Sequence, residues 1–208
     1  MADSISTTNE ALSLFLKENT TSTHESLDKR IMSLNPFSAL DRYTQFIRTQ
    51  ARLQQITSSW YQNAELQALF PDLSERDRFN AVQQDCRDLG LSAEEMAVDQ
   101  EAAAQIQVSN NYEALGWLYT VEGSNIGAAI LLKHAKESLG LSETHGARHL
   151  TGHGDGRGLY WRRFKEALDA IELTDEQRQQ ALKGARDAFA FTRNSVEELL
   201  APNVENIA

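Results

Sequence analysis

Apolar residues along this chain recur at spacings of three and four, the period of helices with one buried face. At roughly 100° per residue, Leu16, Thr20, His24, Leu27, Ile31 and Leu34 share a side and predict a first helix over 9–34, ended by Asn35, Pro36 and Phe37. Ser38 and Asp41 read as an N-terminal capping box for a second helix reaching Tyr61. Its inward face is Tyr43, Phe46, Ile47, Leu53 and Tyr61, but Gln50, Gln54 and Thr57 fall on that face too, which is odd for a simple core. The run Pro71, Asp72, Leu73 and Ser74 predicts the start of a third helix extending to Leu89 and closed by Gly90. Residues 91–110, rich in alanine, glutamine and acids, fit a weak helix or a long loop equally. A long helix is predicted from Asn111 to Leu139 and a short one from Trp161 to Ile171. Thr174 and Gln177 cap a last helix to Leu200, with Leu182, Ala185, Phe189, Thr192 and Val196 inward. The stretch 145–158 holds five glycines and reads as loop. No segment alternates as a strand does. The expected fold class is all-α, a single-domain helical bundle over 1–208 with flexible tails at 1–8 and 201–208.

The long helix carries an anomaly. Glycines at 116, 123 and 127 each weaken a helix by about 1 kcal/mol relative to alanine. A helix that keeps them is approached very closely by something or is bent on purpose. The question the sequence poses is what lies against it.

Composition narrows the answer. With 208 residues, 41% hydrophobic and 24% charged, the chain has ordinary globular values and enough length for a real core. A net charge of −10 disfavours binding to a nucleic-acid backbone. The single cysteine, Cys86, forms no internal disulfide and points to a reducing cytoplasm. Residues Met1 to Ser6 lack the basic and apolar regions of a signal peptide. Residues 114–132 approach membrane-spanning length but carry Glu122, Ser124 and Asn125 at their centre, so membrane insertion is not expected.

Candidate chemistry starts at His24, on the inward face of the first helix. It is either a buried histidine satisfied by a hydrogen bond or a ligand. Asp28, at i+4, is placed to accept an imidazole N–H and orient the ring, as carboxylates behind metal ligands do. Lys17, seven residues back, points the same way from about 10.5 Å along the axis, where a cation can hold an acidic group of a large flat ligand. His145, His149 and His153 have i, i+4 spacing, but the glycines among them break the helix that a metal site would need. Cys86 has no obvious base beside it and reads as packing. Arg148, Arg157, Arg162, Arg163 and Lys165 cluster in an otherwise acidic chain, as a solvated face or as a docking patch for an acidic protein.

The stretch Thr20–Asp28, the glycine run Gly116–Ala129 and His145–Leu150 together resemble bacterial haem oxygenase, a likeness extending from about Leu16 to Val196. Asp155 to Gly158 and Ala185 to Phe191 stand in family order too. The resemblance implies a haem-oxygenase-like bundle that holds haem b as substrate and cofactor and uses O2 and external electrons. His24 is then the proximal iron ligand, oriented by Asp28, and Lys17 and Tyr119 hold the propionates, which favours α-type cleavage. Phe189 lines the pocket. Gly123, Ser124 and Gly127 form the distal wall, where glycine lets backbone come close enough to leave room for O2 and little else. Glu122 is expected to point elsewhere, since a strong acid beside bound oxygen promotes O–O cleavage. Gln50, Gln54 and Trp161 match positions that organise the water delivering protons; Gln54 is a departure, standing where relatives carry histidine. The products are biliverdin, CO and ferrous iron, serving iron acquisition. The implied partner is a ferredoxin- or flavodoxin-type electron donor with its reductase, meeting a monomer at the basic cluster. Two other functions remain open: a non-catalytic haem carrier or sensor, and a thiamin-salvage enzyme of the same fold, whose chemistry needs an active-site cysteine.

Overall fold

The computed structural model describes residues 10–202, so the tail expected at 1–8, and the one expected at 201–208 from 203 on, lie outside the described residues. Eight α-helices follow one another among the described residues: α1 (Leu12–Ser33), α2 (Leu40–Tyr61), α3 (Ala64–Leu69), α4 (Phe79–Asp88), α5 (Ala93–Ala104), α6 (Asn111–Leu139), α7 (Arg157–Asp169) and α8 (Asp175–Leu199). Short 3-10 turns occupy Leu73–Arg76 and Arg148–Leu150, and no strand forms among the described residues.

Several boundaries differ from expectation for local reasons. Ser38 does not cap α2: its hydroxyl donates to Asn35 O at 2.8 Å and closes the preceding turn instead. The helix expected over 71–89 is two pieces. Asp77 interrupts it, its side chain accepting from Phe79 N at 2.9 Å and from Ser58 at 3.0 Å, so that α4 starts afresh. The short α3 was not anticipated, although Asn63 caps it by accepting from Glu65 N and Leu66 N. Residues 93–104 are helix, started by a true capping box between Ser92 and Glu95. At the other end of the chain Ala201, expected in a flexible tail, packs against the core.

The centre of the molecule is the crossing of α6 and α8. Two of the glycines exist for it. A Cβ on Gly116 would stand 1.9 Å from Ala181 O, and one on Gly184 1.9 Å from Glu113 O. The two backbones therefore touch where each helix lacks a side chain. Leu115, Leu118, Ala181, Leu182 and Ala185 close around the contact. α1 and α2 also pack on α8, α4 and α5 cover α2, and α7 lies along α6. Arg52, itself 2% exposed, joins Asp99 on α5 at 2.7 Å and Glu198 on α8 at 2.7 Å. What matters for function is that α1 and α6 are each carried by α8 and do not pack closely on one another.

Candidate functional site

α1 turns Leu16, Thr20 and Leu27 into the core, but His24 lies at the margin of that stripe with its side chain 55% exposed. It is therefore not the buried core histidine that the periodicity allowed. The cause is tertiary: among the described residues, no helix closes over His24 on this side of α1. The His24 Nε2 lies 3.2 Å from Asp28 Oδ2, and its ring centroid is 5.8 Å from that of Phe189. Phe189 is buried in a cluster that takes in Leu27 of α1 and Ala128 of α6. Lys17 is exposed two turns before His24.

α6 changes character at Glu122. Before it, Ala114, Leu115, Trp117, Leu118 and Val121 are buried. After it, Ser124, Ile126, Gly127 and Ile130 are exposed, Ile130 by 63%. The Glu122 carboxylate itself is buried, accepting from Tyr61 OH at 2.8 Å and Arg76 Nη1 at 2.8 Å. The Arg76 guanidinium also meets Asp72 at 2.7 Å and lies 3.7 Å over the Tyr160 ring. Burial holds the Glu122 carboxyl above its ordinary value even with Arg76 beside it. The side chain that precedes Gly123 is thus locked into the protein.

Unlike Gly116 and Gly184, the glycines at 123 and 127 are not demanded by backbone meeting backbone. A Cβ on Gly123 would meet only the Trp161 ring, at an ordinary 3.5 Å, and one on Gly127 would meet nothing within 4 Å. Trp161 packs against Tyr119 at a tilt of 52°, with centroids 5.5 Å apart. Ser124 spends its hydroxyl on Val121 O at 2.7 Å, so what it offers outward is small size rather than a donor. Ile126 and Ile130 share the face of Gly123 and Gly127. Their spacing of three from those glycines is the sequence signal that marks them. Exposed large apolar groups in a row mark a surface that takes an apolar partner.

On α2, Gln50 is half-buried and bonded to Thr49 at 3.4 Å, while the buried Gln54 keeps its Oε1 without a protein partner. The structure thus brings together His24, Asp28 and Phe189 on one side and Tyr119, Gly123 and Trp161 on the other.

The basic cluster does not sit as one patch. The Arg148 guanidinium is paired with Asp85 and Asp88. Arg157 turns inward, donating to Asn125 O at 2.8 Å and to Leu150 O. Arg162, Arg163 and Lys165 face outward from α7, with Glu166 at 3.6 Å from Arg162, Asp155 at 2.8 Å from Arg163, and the Trp161 ring under Lys165. His149 is buried with Nδ1 2.8 Å from Asp85, and His153 stacks on Tyr160. No cluster among the described residues has a metal-binding arrangement. Cys86 is 2% exposed, and burial pushes its thiol up to about 12, far from a nucleophile's range.

The bundle thus presents an exposed histidine on α1 and, on α6, open backbone flanked by exposed isoleucines. Comparison with known proteins gives the family. The model of the haem oxygenase family matches residues 10–198. The chain is 39% identical over 166 residues to haem oxygenase PigA of Pseudomonas aeruginosa, covering 80% of this chain and 81% of that protein. The structure superposes on the NO- and CO-bound haem oxygenase of Neisseria meningitidis with a TM-score of 0.81 and 38% identity, over 92% of each chain. The fold alone is shared with haem oxygenase of Leptospira interrogans, at a TM-score of 0.76 and 17% identity over 91% of this chain and 100% of that one. The chain belongs to the haem oxygenase family.

Proposed function

We propose that the chain binds haem between α1 and α6 and opens it oxidatively to biliverdin, CO and ferrous iron, with O2 as co-substrate and electrons from an external donor. What bound haem supplies is the iron at which oxygen is activated and the macrocycle that is cut. His24 offers a neutral imidazole, which lacks the push of a thiolate toward O–O cleavage. Asp28 now holds its Nε2, so ligation through that atom has the ring turn and give Asp28 the Nδ1–H. Phe189 forms the floor, Lys17 and Tyr119 hold the propionates, and their placement favours the α position. Gly123, Ser124 and Gly127 present backbone and small groups to the distal side. Gln50, Gln54 and Trp161 order the water that carries protons there, and Gln54 Oε1 is an acceptor waiting for such a partner. Glu122 supplies no proton, because Arg76 and Tyr61 occupy both carboxylate oxygens.

The observation that carries this reading is the open side of α6. Residues that weaken the helix are kept at 123 and 127, although an added Cβ would meet only the Trp161 ring at ordinary distance at the first and, among the described residues, nothing at the second. Mixing the protein with haem and ascorbate in air tests it. The Soret band should decay as biliverdin appears, and persistence of the band without biliverdin would establish the carrier or sensor instead. His24→Ala should abolish the axial-ligand spectrum; an unchanged spectrum removes His24 from the role. The thiamin-salvage reading is disfavoured by the burial of Cys86.

The enzyme acts as a cytoplasmic monomer in iron acquisition. No helix among the described residues is long and apolar enough to cross a membrane. A ferredoxin- or flavodoxin-type donor docks on the outward face of α7, where Arg162, Arg163 and Lys165 carry only weak surface pairings. Reversing Arg162 and Arg163 to glutamate should slow donor-driven turnover and flatten its salt dependence while ascorbate-driven turnover stands. Unchanged donor kinetics and salt dependence would move the docking face elsewhere.

A further inference from the structure

Between the clamped Glu122 and the buried Ala128, the distal segment has almost nothing to hold it. A Cβ at Gly123 would meet one ring and a Cβ at Gly127, among the described residues, nothing within 4 Å; Ile126 is exposed, and the Ser124 hydroxyl is spent within the helix. Among the described residues, the one hydrogen bond that reaches 123–127 from outside α6 comes from Arg157, whose Nη1 donates to Asn125 O at 2.8 Å. We propose that Arg157 is a positioning residue: through the Asn125 carbonyl it fixes the glycine segment of α6 and so sets the width of the haem slot. This rests on the slot assignment made above.

The setting of Arg157 supports such a role over that of an ordinary surface cation. Its other bond goes to a second main-chain carbonyl, Leu150 O, and neither partner is a carboxylate. Arg76, Arg148 and Arg163 are each paired with carboxylates. Gly152 makes room for the guanidinium stem, since a Cβ there would lie 3.2 Å from Arg157 Nε. The planar fork lets one side chain tie two carbonyls from different elements, which lysine cannot do in the same geometry. Asn125 O lies at the position that takes the helical bond of residue 129, so a charged donor competes for it and tilts it outward, a recognised cause of helix bending. Arg157 and Trp161 are one turn apart on α7. That helix therefore delivers two grips to the distal segment, a ring over Gly123 and a hydrogen bond at Asn125.

Amide hydrogen exchange of the haem-free protein tests the latch without turnover. In Arg157→Ala, amides of 123–129 should exchange about tenfold faster while those at the α6–α8 crossing keep their protection. In the ferrous CO complex of the same variant the C–O stretch should shift and broaden, because the distal backbone no longer has one position. Arg157→Lys should restore part of both effects, and it serves also if the alanine variant does not fold. Unchanged exchange in 123–129 overturns the proposal, and so does faster exchange with an unmoved C–O stretch. Should the wild type bind no haem at all, the slot reading fails, while the exchange result still decides whether Arg157 holds Asn125.

Discussion

Replacing Gly127 by alanine places a methyl group where nothing lies within 4 Å, whereas the same change at Gly116 places it 1.9 Å from Ala181 O and 2.4 Å from Ala185 N. Both residues are inside α6, so each substitution gains about 1 kcal/mol of helix propensity. At Gly127 nothing opposes that gain, and about 1 kcal/mol raises the Tm of a chain of this size by about 2–4 °C. At Gly116 the obstacle is backbone, which has no rotamer to move into, so the penalty belongs at the upper end of overpacking, about 3 kcal/mol. The net loss is about 2 kcal/mol, a fall in Tm of about 4–8 °C. Thermal melts of the haem-free proteins followed by circular dichroism read both signs. A Gly127→Ala protein less stable than wild type would mean that this face is packed. A neutral Gly116→Ala would mean that α6 and α8 do not meet as described. The functional arm is separate: Gly127→Ala should turn haem over more slowly although it is the more stable protein. Wild-type turnover in that variant would refute the glycine as part of the distal wall.

Arg76→Met strands the buried Glu122 carboxylate and should lower stability by about 3–5 kcal/mol, read by urea unfolding. Adding Glu122→Gln should recover much of that loss, and no recovery would show that the pair does not act as a unit. Acid should loosen the stretch around residues 146–149. Burial alone pushes the Asp88 carboxyl up, but bonds from Arg148 and the Gly146 N–H bring it to about 2, and Asp85, bonded to His149, is likewise held below its ordinary 3.8. A lowered folded-state value stabilises above the unfolded value and is lost as pH falls through the folded one, so the urea midpoint should drop between about pH 4 and pH 2. Asp88→Asn should flatten that drop; an identical slope would assign it to other groups. Cys86 should resist a thiol reagent such as Ellman's in the folded protein and react once urea unfolds it.

Much of the architecture was legible in the chain. α1, α2, α6 and α8 lie within a few residues of where periodicity put them, because each has a long apolar stripe that only a helix can bury. The errors fell where one polar side chain decides a boundary. Ser38 closes a turn instead of capping and Asp77 restarts a helix, while Ser92 with Glu95 decides for helix in a stretch whose pattern fitted helix and loop equally. The basic residues at 148–165 could be counted in sequence but not aimed. The Arg148 guanidinium is taken up by Asp85 and Asp88 and that of Arg157 by Asn125 O, partners far away along the chain that no local spacing encodes.

By itself the sequence determined that this is a helical protein with a histidine helix, an unusual glycine helix and an order of motifs that resembles the haem oxygenases. It could not say what each glycine is for. Gly116, Gly123 and Gly127 are the same residue at helix-compatible spacing, and their local physics is identical. Only the tertiary structure separates them, because an added Cβ would meet α8 backbone at the first, an indole ring at the second and, among the described residues, nothing within 4 Å at the third. The same holds for His24: its position in the stripe was readable, but its exposure depends on α1 and α6 being held apart by α8, a relation among three helices that no single helix carries in its own sequence.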